Sequence, residues 1–365
     1  MRLSDRWLRA AYSGASWLML LRPLEALYRC EVARRERAYR DGTKHAWRAP
    51  VPVIVVGNLT LGGTGKSPLV AWIGRHLADQ GLRPGILSRG YGGQVRGGKV
   101  RGDTAEEGGY PLWLTAKTPV AESGDEPRML ADQTGLPVVV DPDRPRGARR
   151  LIAGGCNVII TDDGLQHHPL ARDIEIVVVD GERGFGNGRC LPAGPLREPL
   201  TRLGRIDALV INGAPQHPFP DGAHHMSLAP ARWRRVVTRA GPQDADERRG
   251  LPLTPLPFTP PVDALAGIGN PGRFFTTLEA LGIAHRAHPF ADHQRFDADA
   301  LSFAGGRPVV MTAKDAVKCK DIAPDDCWAL DVEAAPSASF VQWLDQRTAS
   351  WRDDDAQRTD AVETR

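Results

Sequence analysis

Val51-Pro-Val-Ile-Val-Val-Gly-Asn-Leu-Thr-Leu-Gly-Gly-Thr-Gly-Lys-Ser67 is followed directly by Pro68-Leu-Val-Ala-Trp-Ile-Gly-Arg-His-Leu77. Residues 51–56 are an unbroken apolar run, the pattern of a parallel strand covered on both faces. Residues 68–77 read as a helix with an apolar face. Strand, glycine-rich turn, Lys-Ser and helix form the context of a phosphate-binding loop. Glycines let backbone N–H groups close around phosphate oxygens, and the helix N-terminus adds partial positive charge. Lys66 can reach the outer phosphates, and the Ser67 hydroxyl can ligate Mg²⁺. The usual pattern has a glycine where this chain has Thr60; here the glycines stand at 62, 63 and 65. The candidate nucleotide contacts are therefore Thr60, Leu61, Gly62, Gly63, Thr64, Gly65, Lys66 and Ser67. A turn that binds nothing is the alternative, and it leaves Lys-Ser at the helix start unexplained.

Apolar runs of strand length recur at 51–56, 84–88, 137–140, 158–161, 174–180 and 208–212, with helical stretches between several of them. That alternation predicts an α/β fold with a doubly wound, mostly parallel sheet. The pattern weakens over 213–261, where proline, arginine and short alternating pieces suggest a linker with a small β-ribbon. A second series follows, with strands at 262–267, 285–290, 308–312 and 327–332 and a helix at 272–281. The predicted organisation is an N-terminal helical segment (1–48), a nucleotide-binding domain (49–212), the linker, a smaller α/β domain (262–348) and a polar tail (349–365), the tail disordered by composition.

The 365 residues carry a net charge of only +3, unevenly spread. Residues 1–48 hold eleven Lys/Arg against five Asp/Glu, a local +6 that leaves −3 for the remainder. Their longest uncharged run, 10–21, is twelve residues, too short to span a bilayer, which takes about 20. No small-residue cleavage site follows it, so a secretory signal is not expected. Tryptophan, leucine and arginine together suit an interfacial helix on an anionic membrane; composition suits equally a helix packed on the protein's own core. Five cysteines without a C-x-x-C pair read as reduced thiols with no zinc site. A basic stripe with interleaved aromatics is absent beyond the N-terminus, which argues against nucleic acid as a partner.

Val158-Ile-Ile-Thr-Asp-Asp-Gly-Leu-Gln-His-His168 carries the second strong signal. An apolar strand that ends in acidic residues, downstream of a phosphate loop, is where such enzymes hold Mg²⁺. Asp162 and Asp163 are the metal candidates; Asp-Asp-Gly also makes a good turn. Gly124-Asp-Glu-Pro127 precedes a helix, so Asp125 suits an N-cap or a general base, with the cap the simpler reading. Asp292-His293 follows a strand of the second domain. Arg89, in Ser88-Arg-Gly-Tyr-Gly-Gly93, and Arg197, in the glycine- and proline-rich run 184–199, lie at strand ends, where ligands of doubly wound sheets bind. Each suits an anion contact or a loop anchor.

These segments resemble the tetraacyldisaccharide 4′-kinase family. The matching pieces are 57–68, 88–93, 124–127, Thr161-Asp-Asp-Gly-Leu-Gln-His167, Leu191-Pro-Ala-Gly-Pro-Leu-Arg-Glu198, Asp292-His293 and Lys314-Asp-Ala-Val-Lys318. They run in family order over roughly residues 45–320, and Thr60 is the family's own form of the loop. The resemblance implies transfer of the γ-phosphoryl group of ATP, with Mg²⁺, to the 4′-hydroxyl of a lipid disaccharide 1-phosphate. It implies Asp125 as catalytic base assisted by His293, and the acidic pair 162–163 at the metal. Arg89, Gln166, His167 and Arg197 become candidate substrate contacts. It also implies that the N-terminal segment docks on the cytoplasmic face of the inner membrane, with no protein partner implied. Two departures stand out: Ala313 where the family often has Glu, and Gln294 where it often has a second histidine. A phosphate-loop kinase for a soluble small molecule, and a nucleotide-hydrolysing switch, are the rival functions.

Overall fold

The computed structural model describes residues 3–90, 109–236, 250–291, 294, 296–297, 301, 303, 306–319 and 322–363. The chain forms two compact units. One comprises Met1–Arg89, Leu136–Ser227 and Ala334–Arg365, the other Gly90–Gly135 and Leu228–Glu333. The sequence suggested consecutive domains, whereas each unit is assembled from separated stretches.

In the first unit β1 (Val53–Gly57) pairs in parallel with β5 (Val158–Asp162) and β6 (Ile174–Asp180). The sheet runs on in parallel from β5 to β2 (Pro84–Ser88) and β4 (Val138–Val140), and from β6 to β7 (Ala208–Asn212) and the start of β8 (His224–Arg235). Every residue of β1, β2, β4, β5, β6 and β7 is buried, because helices cover both sheet faces. β1 begins two residues after the apolar run does; Pro52 has no N–H to give a ladder. Helix α3 (Lys66–Asp79) fully buries Leu69, Val70, Ile73 and Leu77, a stripe at helical spacing. Each such side chain stabilises the fold by about 1.5–3 kcal/mol. The remaining helices are α1 (Leu3–Ser13), α2 (Arg22–Arg40), α6 (Arg144–Ala153) and α9 (Ala338–Glu363).

Two expectations change here. The polar tail is helical to Glu363. No Gly or Pro interrupts it, and Phe340, Leu344 and Thr348, one turn apart, are each fully buried. The 213–261 stretch contains a twelve-residue strand, β8, rather than only a small ribbon; Trp233 does bridge Leu251 antiparallel.

The second unit orders its sheet β10 (His285–Pro289), β9 (Val262–Ala266), β11 (Val309–Thr312), β12 (Cys327–Pro336), then β8. Alternation builds a core on each face. Val262, Ala264, Val310, Trp328 and Leu330 pack in one cluster with Trp233 and Phe258, while Leu265, Val309, Met311, Cys327 and Ala329 pack in the other. β3 (Leu112–Trp113), α4 (Val120–Ser123), α5 (Asp125–Thr134), α7 (Pro271–Ala280) and α8 (Ala313–Cys319) complete it.

Candidate nucleotide-binding site

The loop from β1 to α3 is held open by side chains and by a neighbouring segment. Asn58 donates to the carbonyls of Thr60 (2.5 Å) and Gly62 (3.3 Å), and its Oδ1 accepts from Lys66 Nζ at 3.0 Å. One asparagine thus closes the turn and aims the lysine. The 195–197 segment braces the loop's outer edge. Leu61 N–H donates to Pro195 O at 2.9 Å, and Arg197 N–H to Leu59 O at 2.6 Å. The Leu61 amide is therefore already engaged, and Tyr12 OH donates to Leu61 O at 2.7 Å. Arg183 donates to Gly63 O, and Asn212 to Thr64 O at 3.0 Å. Gly65 sits at φ +94°, with no room for a Cβ against Asn212. The buried Thr64 hydroxyl has no hydrogen-bond partner among the described residues, so an acceptor such as a phosphate oxygen would complete it.

At the carboxyl end of β5 the two aspartates part. Asp162 is buried and accepts from Ser67 Oγ at 3.3 Å. A hydroxyl and a carboxylate meeting in a buried site are the hard oxygens that Mg²⁺ prefers, so these two residues fit the ion. Asp163 adopts φ +53° and faces cations instead. Arg197 Nη1 grips it at 2.8 and 3.0 Å, and Lys66 Nζ lies at 3.9 Å. Burial raises the Asp163 pKa, but Lys66, Arg197 and Arg144 together hold it below the usual carboxylate range. Beneath the pair, the wholly buried Arg144 donates to the carbonyls of Leu87 and Asp162 (2.7 Å). Burial brings its pKa down to about 10 while the two aspartates oppose the shift. It remains charged at neutral pH and ties the carboxyl ends of β2 and β5 together.

Gln166 donates to Arg197 O at 3.2 Å, and Tyr28 OH to the same carbonyl at 2.8 Å. His167 has its pKa brought down to about 4 by burial, aided by Arg144 and Arg172. It is neutral at pH 7, and its buried Nε2 lacks a partner among the described residues. Arg89 is exposed just beyond β2, and its charge contributes to the lowering at Arg144 and His167.

In the second unit Asp125 is half-buried and opens α5. The cap is Gly124, at φ +84°, so the capping role read from sequence belongs to its neighbour. Lys314 Nζ lies 3.4 Å from Glu126 Oε1, and the fully buried Asp315 accepts from Gly267 N–H (2.8 Å), Thr312 Oγ1 and Lys318 Nζ (2.7 Å each). The 314–318 motif thus anchors the loop after β9. Asp292 and His293 lie outside the described residues.

Sequence reasoning missed Asn58, Arg183, Asn212 and Arg144. Asn58 and Asn212 stand at strand carboxyl ends, which was a usable signal; Arg183 and Arg144 reach the site from elements that carry no motif.

A parallel doubly wound sheet, a glycine loop with Lys66-Ser67 opening a helix, and an acidic residue against that serine define a P-loop nucleotide-binding protein. A family model described as tetraacyldisaccharide-1-P 4′-kinase matches residues 17–349. The tetraacyldisaccharide 4′-kinase of Azotobacter vinelandii is 47% identical over 96% of this chain and 98% of its own length. That of Pseudomonas aeruginosa strain LESB58 is 47% identical over 95% and 98% respectively. Among solved structures, LpxK from Aquifex aeolicus, crystallised in complex with ATP, aligns with a TM-score of 0.71 at 28% identity, covering 90% of this chain and 98% of that one. The chain belongs to the tetraacyldisaccharide 4′-kinase family.

Proposed function

We propose that this protein transfers the γ-phosphoryl group of ATP to the 4′-hydroxyl of tetraacyldisaccharide 1-phosphate, the step of lipid A biosynthesis that yields lipid IVA. The observation that carries the reading is the loop itself, with Lys66 aimed by Asn58 and Ser67 against Asp162 at the head of α3. Phosphoryl transfer has a loose transition state, so catalysis is chiefly positioning and charge neutralisation. Lys66 and the loop amides bind β- and γ-phosphate oxygens. Ser67 and Asp162 are the residues that would hold Mg²⁺, which when bound offsets charge on those oxygens. Asp163, gripped by Arg197, keeps that arginine and Lys66 in place. Asp125 takes the proton of the acceptor hydroxyl, and His293 is its proposed partner. Labelled ATP offered with the lipid disaccharide, with soluble sugars and alone tests the reading. Label must reach the lipid; equal transfer to soluble sugars, or equal hydrolysis without acceptor, would refute it.

We place the protein peripherally on the cytoplasmic face of the inner membrane. Among the described residues no helix is long and apolar enough to cross a bilayer. Of the seven exposed large apolar side chains among the described residues, five lie between residues 17 and 27: Trp17, Met19, Leu20, Leu24 and Leu27, with Leu20 83% exposed. In the same stretch Glu25 is buried, accepting from Cys190 N–H at 3.0 Å. Glu25 points inward while Leu20, Leu24 and Leu27 point outward beside the exposed Arg22 and Arg29, a mixture of apolar and basic surface that suits an interfacial anchor. Its inward contacts, such as Tyr28 OH to Arg197 O, also pack it against the rest of the unit, which is what the alternative reading of the composition expects. Flotation with vesicles should drop sharply for Leu20→Glu/Leu27→Glu; unchanged flotation would remove the anchor.

A further inference from the structure

Beside the end of α2 lies a cavity of about 360 Å³, lined by Glu31, Arg34, Arg35, Tyr39 and Lys44 together with Gln166, His168 and Pro169. That volume falls within the range of small-ligand sites, about 300–1,000 Å³. Its walls are fixed by backbone. Lys44 N–H donates to Ala38 O at 2.7 Å, and Trp47 N–H to Pro169 O at 2.7 Å. Three cations face a single carboxylate there. Glu31 accepts from Arg34 Nε (2.7 Å) and Nη2 (3.0 Å) and from Arg35 Nε (2.6 Å). A guanidinium carries five N–H donors, so both arginines keep donors to spare. Lys44 has no carboxylate within reach among the described residues and lies 5.8 Å from the Tyr39 ring centre. Tyr39 in turn lies 5.6 Å, ring to ring, from His168. The Glu31 carboxyl, held at about 2 by Arg34 and then Arg35, is ionised and cannot neutralise all three cations, leaving two net positive charges along the cavity wall.

We propose that this cavity is a binding site for a phosphate group, supplied by the head group of an anionic lipid. Position argues for the lipid. Leu27, the last exposed apolar side chain of the 17–27 stretch, precedes Arg34 by seven residues, roughly 10 Å of helix. Apolar side chains at the acyl boundary thus bring the guanidiniums to head-group depth. Planar guanidiniums suit phosphate oxygens bidentately, with Lys44 as a point charge. The site is distinct from the loop at Lys66 and adds to the apolar anchor a polar contact that reads head-group chemistry.

The test uses the full chain and two charge-matched variants, Arg35→Gln/Lys44→Gln in the cavity and Arg37→Gln/Arg40→Gln on the same helix outside it. All four positions lie on the surface, so folding should survive, and circular dichroism checks it. One arm measures flotation with vesicles of phosphatidylcholine alone or with added phosphatidic acid. The other follows ³¹P line broadening of inorganic phosphate, with the nucleotide site saturated by MgADP. The cavity variant should lose the preference for phosphatidic acid at least about tenfold more than the control variant, the loss expected for hydrogen bonds to a charged group. Broadening by inorganic phosphate that only the cavity variant abolishes would support the site and show that it reads phosphate itself. Vesicle discrimination without such broadening would support the lipid as sole source. Equal losses for the two variants would mean general surface charge and overturn the proposal, as would no preference for phosphatidic acid in the unmodified chain. Binding to phosphatidylcholine alone reports the apolar anchor separately, so failure of one reading does not masquerade as failure of the other.

Discussion

Replacing Gly65 by alanine puts a methyl group where the phosphate loop has no space for one. Gly65 caps α3 at φ +94° and ψ 19°, a region in which an L-residue costs about 1–3 kcal/mol. The added Cβ would stand 2.5 Å from Asn212 Nδ2 and 3.0 Å from Met226 Cε. The methionine end can swing aside. Asn212 is buried and donates to Thr64 O at 3.0 Å, so moving it orphans a carbonyl inside the loop, at about 1–3 kcal/mol more. Strain and lost bond together come to roughly 2–6 kcal/mol. Gly65→Ala should therefore lower the unfolding midpoint of the nucleotide-free protein and raise the KM for MgATP at least about tenfold, since the loop amides no longer converge. Circular dichroism in urea and steady-state kinetics read the two effects. The double variant Gly65→Ala/Asn212→Ala removes the clash but not the strain, so it should cost less than the two single variants added together. Unchanged stability and unchanged KM in Gly65→Ala would refute the geometry claimed for the loop.

Asp125→Ala should lower kcat by at least about 10²-fold while ATP still binds; near-normal turnover removes Asp125 from the base role. Asp162→Asn should raise the Mg²⁺ concentration needed for half-maximal ATP binding, read by calorimetry, more than Asp163→Asn does; the reverse order would reassign the metal contact. His167 adds an acid-sensitive component to stability. The unfolded chain takes up this proton near 6.5 and the native chain not until about 4, so stability falls as pH drops through that window and is level below it. His167→Gln should flatten the limb in urea titrations across that range, and an identical pH slope would contradict the burial assigned to this ring.

The part of the fold legible in the sequence was the part governed by local pattern. The apolar runs at 84–88, 174–180 and 208–212 are strands at those bounds because burial on both faces demands continuous apolar residues. Lys66-Ser67 announces the loop because the helix N-terminus and the lysine must adjoin. What stayed hidden depends on partners far along the chain. Asn212 joins Thr64 from 148 residues away and Arg183 joins Gly63 from 120, and no periodicity encodes such meetings. The division into units was hidden for the same reason, since 90–135 and 228–333 associate through tertiary packing. The last helix was missed because its polar surface outweighs three buried side chains one turn apart. Local pattern favours Asp125 as the helix cap, but the structure gives that place to Gly124, whose backbone conformation suits only glycine.

The central claim is that the ammonium group at the head of α3 grips a triphosphate. Lys66 donates to Asn58 and lies near Asp163, contacts that the fold can lose without collapsing. ATP affinity measured by calorimetry for the unmodified chain and for Lys66→Met, without acceptor, isolates that contact. The account predicts a Kd at least about tenfold higher in the variant, the worth of a hydrogen bond to a charged group. Equal affinities would contradict it.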